Sequence, residues 1–339
     1  MITIGTLLWI DERFHPSTNN KNKNIASYYR QLDLLLSTLQ REFKVSLVVF
    51  TNDSARIADW FIKRKRPLPA FVQISSGIPV PEHTPFYHAH HKLDALKAGV
   101  DLLNKDEDRL FLIDIDVIAL HPFNSEQLTR ISNADLIVYD ISDQVFPTYG
   151  SGRVTGDIER LAGESFIDAK WFGGEIIGAS RSGLLHLIEQ CDQIMPRYFE
   201  NISSFHHVGD EMFITAGINK IIKNGDGLRV VTQNPYRLIS RHWSRYTDRP
   251  LSYHMQHSFI HCPGSKPALE FLSCFNAPPR RVSYAVLRVY QCLVLAYQFG
   301  KKRARRLRSV VRVGWGAGKK GGGFAPLTPH QDRDGPGPA

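Results

Sequence analysis

Asp108 to Pro122, read DRLFLIDIDVIALHP, constrains the fold more than any other stretch. Leu110 to Ile113 is an unbroken apolar run, the pattern of a short strand buried on both faces. It leads straight into Asp114-Ile115-Asp116. Alternate residues of an extended segment project to the same side, so the two carboxylates point together. At the carboxyl end of a buried strand they stand where open α/β sheets bind ligands. Like charges that close repel unless a cation lies between them. Hard oxygen donors suit Mg²⁺ or Mn²⁺, which also take phosphate oxygens. The plainer alternative is an acidic turn closing a core strand.

Strands and helices alternate along the first half. Ile2 to Ile10, Val45 to Phe50, Phe71 to Ile74 and Ala134 to Tyr139 read as strands. Ile25 to Gln40 carries Leu32, Leu35, Leu36 and Leu39 at helical spacing, and Tyr87 to Leu103 reads as one helix bearing His91, Lys92 and Asp94. This alternation predicts an α/β fold: a mixed, mostly parallel, Rossmann-like sheet flanked by helices, followed by a C-terminal basic helical tail. Asp140 to Asp168 shows no clear period and reads as a long loop. Trp171 to Ala179 looks like a strand entered through two glycines, and Gly209-Asp210-Glu211 opens a helix. The histidines at 83, 88, 90 and 91 have no zinc-site spacing and read as pocket lining or surface.

The net charge of +9 is unevenly spread. Arg280 to Lys320 holds twelve Lys or Arg and no acid, so subtracting twelve from nine leaves the rest of the chain at −3. That argues against a nucleic-acid-binding body and for an electrostatic tail. Val282 to Phe299 is mostly apolar but is interrupted by Arg288, Gln291 and Gln298. It is short of the roughly 20 apolar residues a span requires. An interfacial helix fits better, with seven Lys or Arg among the twelve residues Lys301 to Arg312 beside it and Tyr284, Tyr290 and Tyr297 at headgroup depth. The alternative is a helix packed on the body. The expected division is a catalytic domain over 1–279, a basic amphipathic segment over 280–313 and a disordered tail over 314–339. The first residues show no basic region before their apolar run, so no signal peptide is expected. Four cysteines without CxxC spacing fit a reducing compartment, and the expected location is cytoplasmic, peripheral at the inner membrane face.

Four features occur in order: Asp114-Ile115-Asp116, Phe172-Gly173-Gly174, Gly209-Asp210-Glu211, and His261 to Pro267. This order resembles the GT-A-fold glycosyltransferases, most of all the retaining family of glycogenin and the lipopolysaccharide galactosyltransferases. The resemblance covers Met1 to Pro267. It implies Asp114, Asp116 and His261 as ligands of Mn²⁺ (or Mg²⁺). Gly264 and Lys266 would hold the diphosphate, and Gly173 and Gly174 would let backbone approach the sugar. Asp210 and Glu211 would be catalytic carboxylates at the transferred sugar, or simply acids complementing a helix N-terminus. Trp9, Asp11 and Lys92 are further donor-site candidates. His261-x-x-Gly264-x-Lys266 is one residue shorter than the family motif, and Phe172 stands in the region of the family's asparagine.

The implied function is transfer of a sugar from a nucleotide-sugar, a UDP-sugar by preference, to a glycan or glycolipid acceptor at an anionic membrane surface. One rival is a sugar-phosphate nucleotidyltransferase, which would need a Gly-rich, basic loop where this chain reads Trp9-Ile10-Asp11-Glu12-Arg13. The other is a non-catalytic membrane-bound adaptor.

Overall fold

The computed structural model describes residues 1–11, 25–82, 84–225, 227–244 and 249–316, with side chains as far as Lys301. His83, Glu12, Arg13 and residues 317–339 of the expected disordered tail lie outside the described residues. The strands are β1 (Ile2–Leu7), β2 (Leu47–Thr51), β3 (Ala70–Gln73), β4 (Arg109–Ile113), β5 (Val117–Ala119), β6 (Leu136–Asp140), β7 (Phe172–Ala179), β8 (Val230–Thr232), β9 (Ile239–Arg241) and β10 (Phe259–His261). Seven of them form one sheet in the order β3-β2-β1-β4-β7-β6-β8. Only β7 runs against its neighbours, so the sheet is mixed and mostly parallel, as the alternation predicts. A smaller sheet, β5-β10-β9, stands beside it. The architecture is α/β and Rossmann-like.

The helices are α1 (Ile25–Glu42), α2 (Ser54–Lys63), α3 (Tyr87–His90), α4 (Lys92–Gly99), α5 (Ser125–Asn133), α6 (Ser142–Tyr149), α7 (Ser151–Ala162), α8 (Arg181–Asn201), α9 (Asp210–Asn224), α10 (Leu251–His254), α11 (Lys266–Leu272) and α12 (Arg280–Gly316). The leucines at 32, 35, 36 and 39 in α1 are all buried in the main core, as their spacing requires. The expected helix from Tyr87 is in fact broken at His91. That ring stacks on Trp9 at 3.6 Å and bonds Asp94 at 2.9 Å, and α4 starts afresh behind it. The stretch from Asp140 is not a loop but carries α6 and α7. In α7, Val154, Ile158 and Leu161 are buried at helical spacing, a period diluted in the sequence by Gly152 and Gly156.

A second apolar cluster lies under the small sheet and joins Leu34, Ile118, Ile260, Leu269 and Leu287. Leu287 belongs to α12, so the helix expected to be a separate segment from 280 begins as part of the folded body. Burying one leucine fully contributes about 2 kcal/mol to that anchorage. Further along, Val289, Leu293, Tyr297 and Phe299 are exposed.

Candidate metal and ligand site

Asp114 directly follows β4, and its N–H donates to Glu175 O in β7 at 3.2 Å. Three residues later the chain enters β5, whose antiparallel partner β10 sets Val117 opposite His261. Cys262 N–H donates to Asp116 O at 2.9 Å, which fixes the junction of the two sheets. Asp114, Asp116 and His261 therefore converge from the large sheet, the connection and the small sheet. His261 Nε2 is 3.0 Å from Asp116 Oδ1 and 3.6 Å from Asp114 Oδ2.

Donor atoms bound to one ion at about 2.1 Å lie roughly 3 to 4 Å apart. The three donor atoms here lie within 4.8 Å of one another. Two carboxylate oxygens and one imidazole nitrogen form a set that Mn²⁺ accepts. The charge state points the same way. Burial raises the Asp114 carboxyl above its usual range, and nearby Lys92 and His261 only partly offset this. Burial also works against ionised Asp116, but the charges of His261 and Lys266 outweigh it and hold that carboxyl low. His261 would be lowered by burial alone, yet Asp116 and Glu175 push it up to about 10. The two buried acids are thus balanced only by Lys92, His261 and Lys266 among the groups that act on them most strongly.

Across the cavity lies the acid pair. Gly209 precedes α9 at φ 153°, a conformation glycine favours, and its N–H donates to Tyr198 Oη at 2.9 Å. Tyr198 Oη in turn hydrogen-bonds His90 Nε2 at 2.8 Å. This anchors the first turn of α9, which presents Asp210 and Glu211. Glu211 accepts from Trp171 Nε1 at 3.1 Å, from Gly174 N at 3.3 Å and from Arg241 Nη2. Burial tends to raise its pKa, but Arg241 and His207 bring it below the ordinary value. Asp210 pairs with Lys92. Lys92 Nζ also donates to Asp114 Oδ1 at 2.9 Å and to Gly174 O at 2.8 Å. Despite full burial, its two carboxylate partners keep it charged.

The cavity between these walls is lined by Trp9, Lys92, Asp114, Asp116, Asp210, Glu211, His261 and Lys266, together with Leu7, Leu8, Tyr28, Phe86, His88, His207, Arg241, Trp243 and Pro263. Lys266 opens α11, and its Nζ is 3.7 Å from Asp116 Oδ2, so the shortened spacing from His261 still brings it to the metal corner. Asp11 and Gly264 do not line the cavity; a Cβ on Gly264 would stand 3.3 Å from the Trp243 ring. Gly173 and Gly174 do not line it either. A Cβ on Gly173 would stand 2.1 Å from Glu175 Oε2, and one on Gly174 2.4 Å from Asp210 Oδ2. Their missing side chains make room for the charged network rather than open a path into the cavity.

A scan against family models and a search of curated proteins each find no match.

The sequence reading missed Glu175, Arg241, His207 and Trp243. Glu175 left a trace, as the only charge in an otherwise apolar strand, which demands a buried partner. Arg241 and Trp243 lie in a polar stretch with no period, and nothing local marks them.

Proposed function

We propose that the protein is a metal-dependent glycosyltransferase of the GT-A type. It would transfer a sugar from a nucleotide-sugar, most simply a UDP-sugar, to a glycan or glycolipid. One observation carries the reading: Lys92 Nζ contacts both Asp114 of the metal corner and Asp210 of the acid pair. The two walls are thus a single ammonium group apart, the separation needed if a diphosphate rests on one and its sugar on the other.

Asp114, Asp116 and His261 would hold Mn²⁺ or Mg²⁺, which when bound stabilises the charge that develops as a nucleoside diphosphate departs. Lys266 would add a second positive charge on that side. Glu211, kept ionised by its three donors, would face an oxocarbenium-like anomeric carbon and favour its positive charge. Asp210 and Lys92 would orient sugar hydroxyls. Both carboxylates of the pair are engaged by cations, so they serve better as fixed charges than as proton acceptors. This suits transfer with retained configuration, where the acceptor hydroxyl attacks on the leaving-group side. Leu7, Leu8 and Trp9 bound the cavity at the end of β1, an apolar wall suited to a nucleobase and not to the phosphate loop of a nucleotidyltransferase.

No helix among the described residues is long and apolar enough to cross a membrane. The exposed apolar side chains of α12, followed by the basic sequence to Arg312, support a peripheral site on an anionic membrane face, with a lipid-linked acceptor there. A thermal-shift panel of nucleotide-sugars with Mn²⁺ tests the donor class. A true donor at 100 times its Kd should add about 2.7 kcal/mol of stability, and a panel with no shift in Mn²⁺ would count against the reading.

A further inference from the structure

Glu175 is fully buried in β7. Arg241 grips its carboxylate from two directions, Nε donating to Oε1 at 2.8 Å and Nη2 to Oε2 at 2.5 Å. The same Nη2 also donates to Glu211. Arg241 ends β9 and is the register partner of His261 in β10, so both side chains leave the small sheet on one side. Among the described residues, the buried His261 Nδ1 has no hydrogen-bond partner. Glu175 Oε1 is 3.7 Å from it. A buried ring nitrogen without a partner is costly, and a small rotation of the imidazole would close this gap. Gly173 permits the arrangement, since any Cβ there would overlap the Glu175 carboxylate.

A histidine that ligates through Nε2 must carry its proton on Nδ1 and give it to an acceptor. We infer that Glu175 is a positioning residue: its carboxylate accepts the Nδ1 proton of His261 and turns Nε2 to the Asp114–Asp116 corner, while Arg241 ties that orientation to Glu211. This rests on the metal reading of the site. It would make the two walls one mechanical unit, in which a single buried guanidinium joins Glu175, behind His261, to Glu211.

The test is Mn²⁺ affinity, read from the electron paramagnetic resonance of free Mn²⁺ over the full-length protein, with thermal melting in parallel. In Glu175→Gln the amide offers one acceptor and one donor, so it cannot serve Arg241 and His261 as the carboxylate does. The Kd for Mn²⁺ should rise about tenfold. Asp157→Asn is the control, because Asp157 is a buried acid bonded to His206 Nδ1 at 2.7 Å and lies outside the cavity lining. It should lower the melting temperature and leave Mn²⁺ affinity unchanged. If Glu175→Gln fails to fold, the Glu175→Gln/Arg241→Gln pair replaces it, with the same tenfold expectation. Wild-type affinity in the Glu175 variant, with binding still lost in Asp116→Asn, overturns the inference alone. No Mn²⁺ binding by the wild type overturns the metal reading and the inference with it.

Discussion

The two walls of the cavity are built from similar charges but are satisfied to different degrees. On the acid wall, Glu211 has three donors, and Glu175 and Arg241 close on each other. On the metal wall, Asp114 is destabilised by burial, Asp116 leans on His261 and Lys266, and His261 Nδ1 has no hydrogen-bond partner among the described residues. A wall whose polar groups are already paired acts as a rigid template. A wall with unbalanced charge is where an incoming ion gains most. The difference fits the proposed division, in which one side would take a cation and the other would shape a sugar's surroundings.

Neutralising the metal wall should have the largest effect. Asp114→Asn and Asp116→Asn should each lower transfer on the order of a thousandfold. Their stabilities should move in opposite directions without metal. Asp114 has a raised pKa, so its ionised form is unfavourable in the fold and the amide should raise the melting temperature. Asp116 has a lowered pKa, so its replacement should lower the melting temperature. Equal stability shifts in calorimetry would erase the contrast. Glu211→Gln comes next, with turnover about a hundredfold lower and donor affinity nearly unchanged, because a fixed charge at the anomeric carbon acts mainly in the transition state. A steady-state split showing only a higher KM would make Glu211 a plain binding group.

A pH series probes buried histidines, His90 behind the acid wall and His254 and His257 beside the small sheet. Burial lowers His90 to about 4, His254 to about 3 and His257 to about 4, against an ordinary value of 6.5. These rings are neutral in the fold, while the unfolded chain takes up protons below about 6.5. Their contribution is therefore fully present above that pH and is lost as pH falls through about 4. Each histidine costs up to about 1.4 kcal/mol per pH unit over that window. Urea midpoints that stay level between pH 7 and 5 would contradict this. The smallest effect belongs to the tail. Removing residues 302–339 leaves Leu287 seated in its cluster, so fold and activity on a soluble acceptor should survive. Binding to anionic vesicles should fall by about 1 kcal/mol for each basic residue that lies near the surface. Unchanged cosedimentation would place the membrane contact elsewhere.

The sheet, the leucine face of α1 and the meeting of Asp114 with Asp116 were legible in the sequence, because strand and helix periods and a two-residue spacing are local properties. His261 and Lys266 could be tied to them only through a family resemblance, since 145 residues separate Asp116 from His261. Glu175 and Arg241 were not legible as a pair. They sit 66 residues apart, and their partnership exists only once β7 and β9 come together. The glycines before Glu175 carry a packing reason the sequence did not show: a Cβ at either would overlap a buried carboxylate. The helices within 140–168 were hidden because Gly152 and Gly156 dilute an apolar period that packing completes.

The most direct test is release of nucleoside diphosphate from nucleotide-sugars by purified protein, with Mn²⁺ and with EDTA, for wild type and Asp116→Asn. The account predicts release that requires Mn²⁺, disappears in EDTA and is lost in the variant while its fold persists. Release that is indifferent to EDTA and to the substitution, or none from any donor in Mn²⁺, would contradict it.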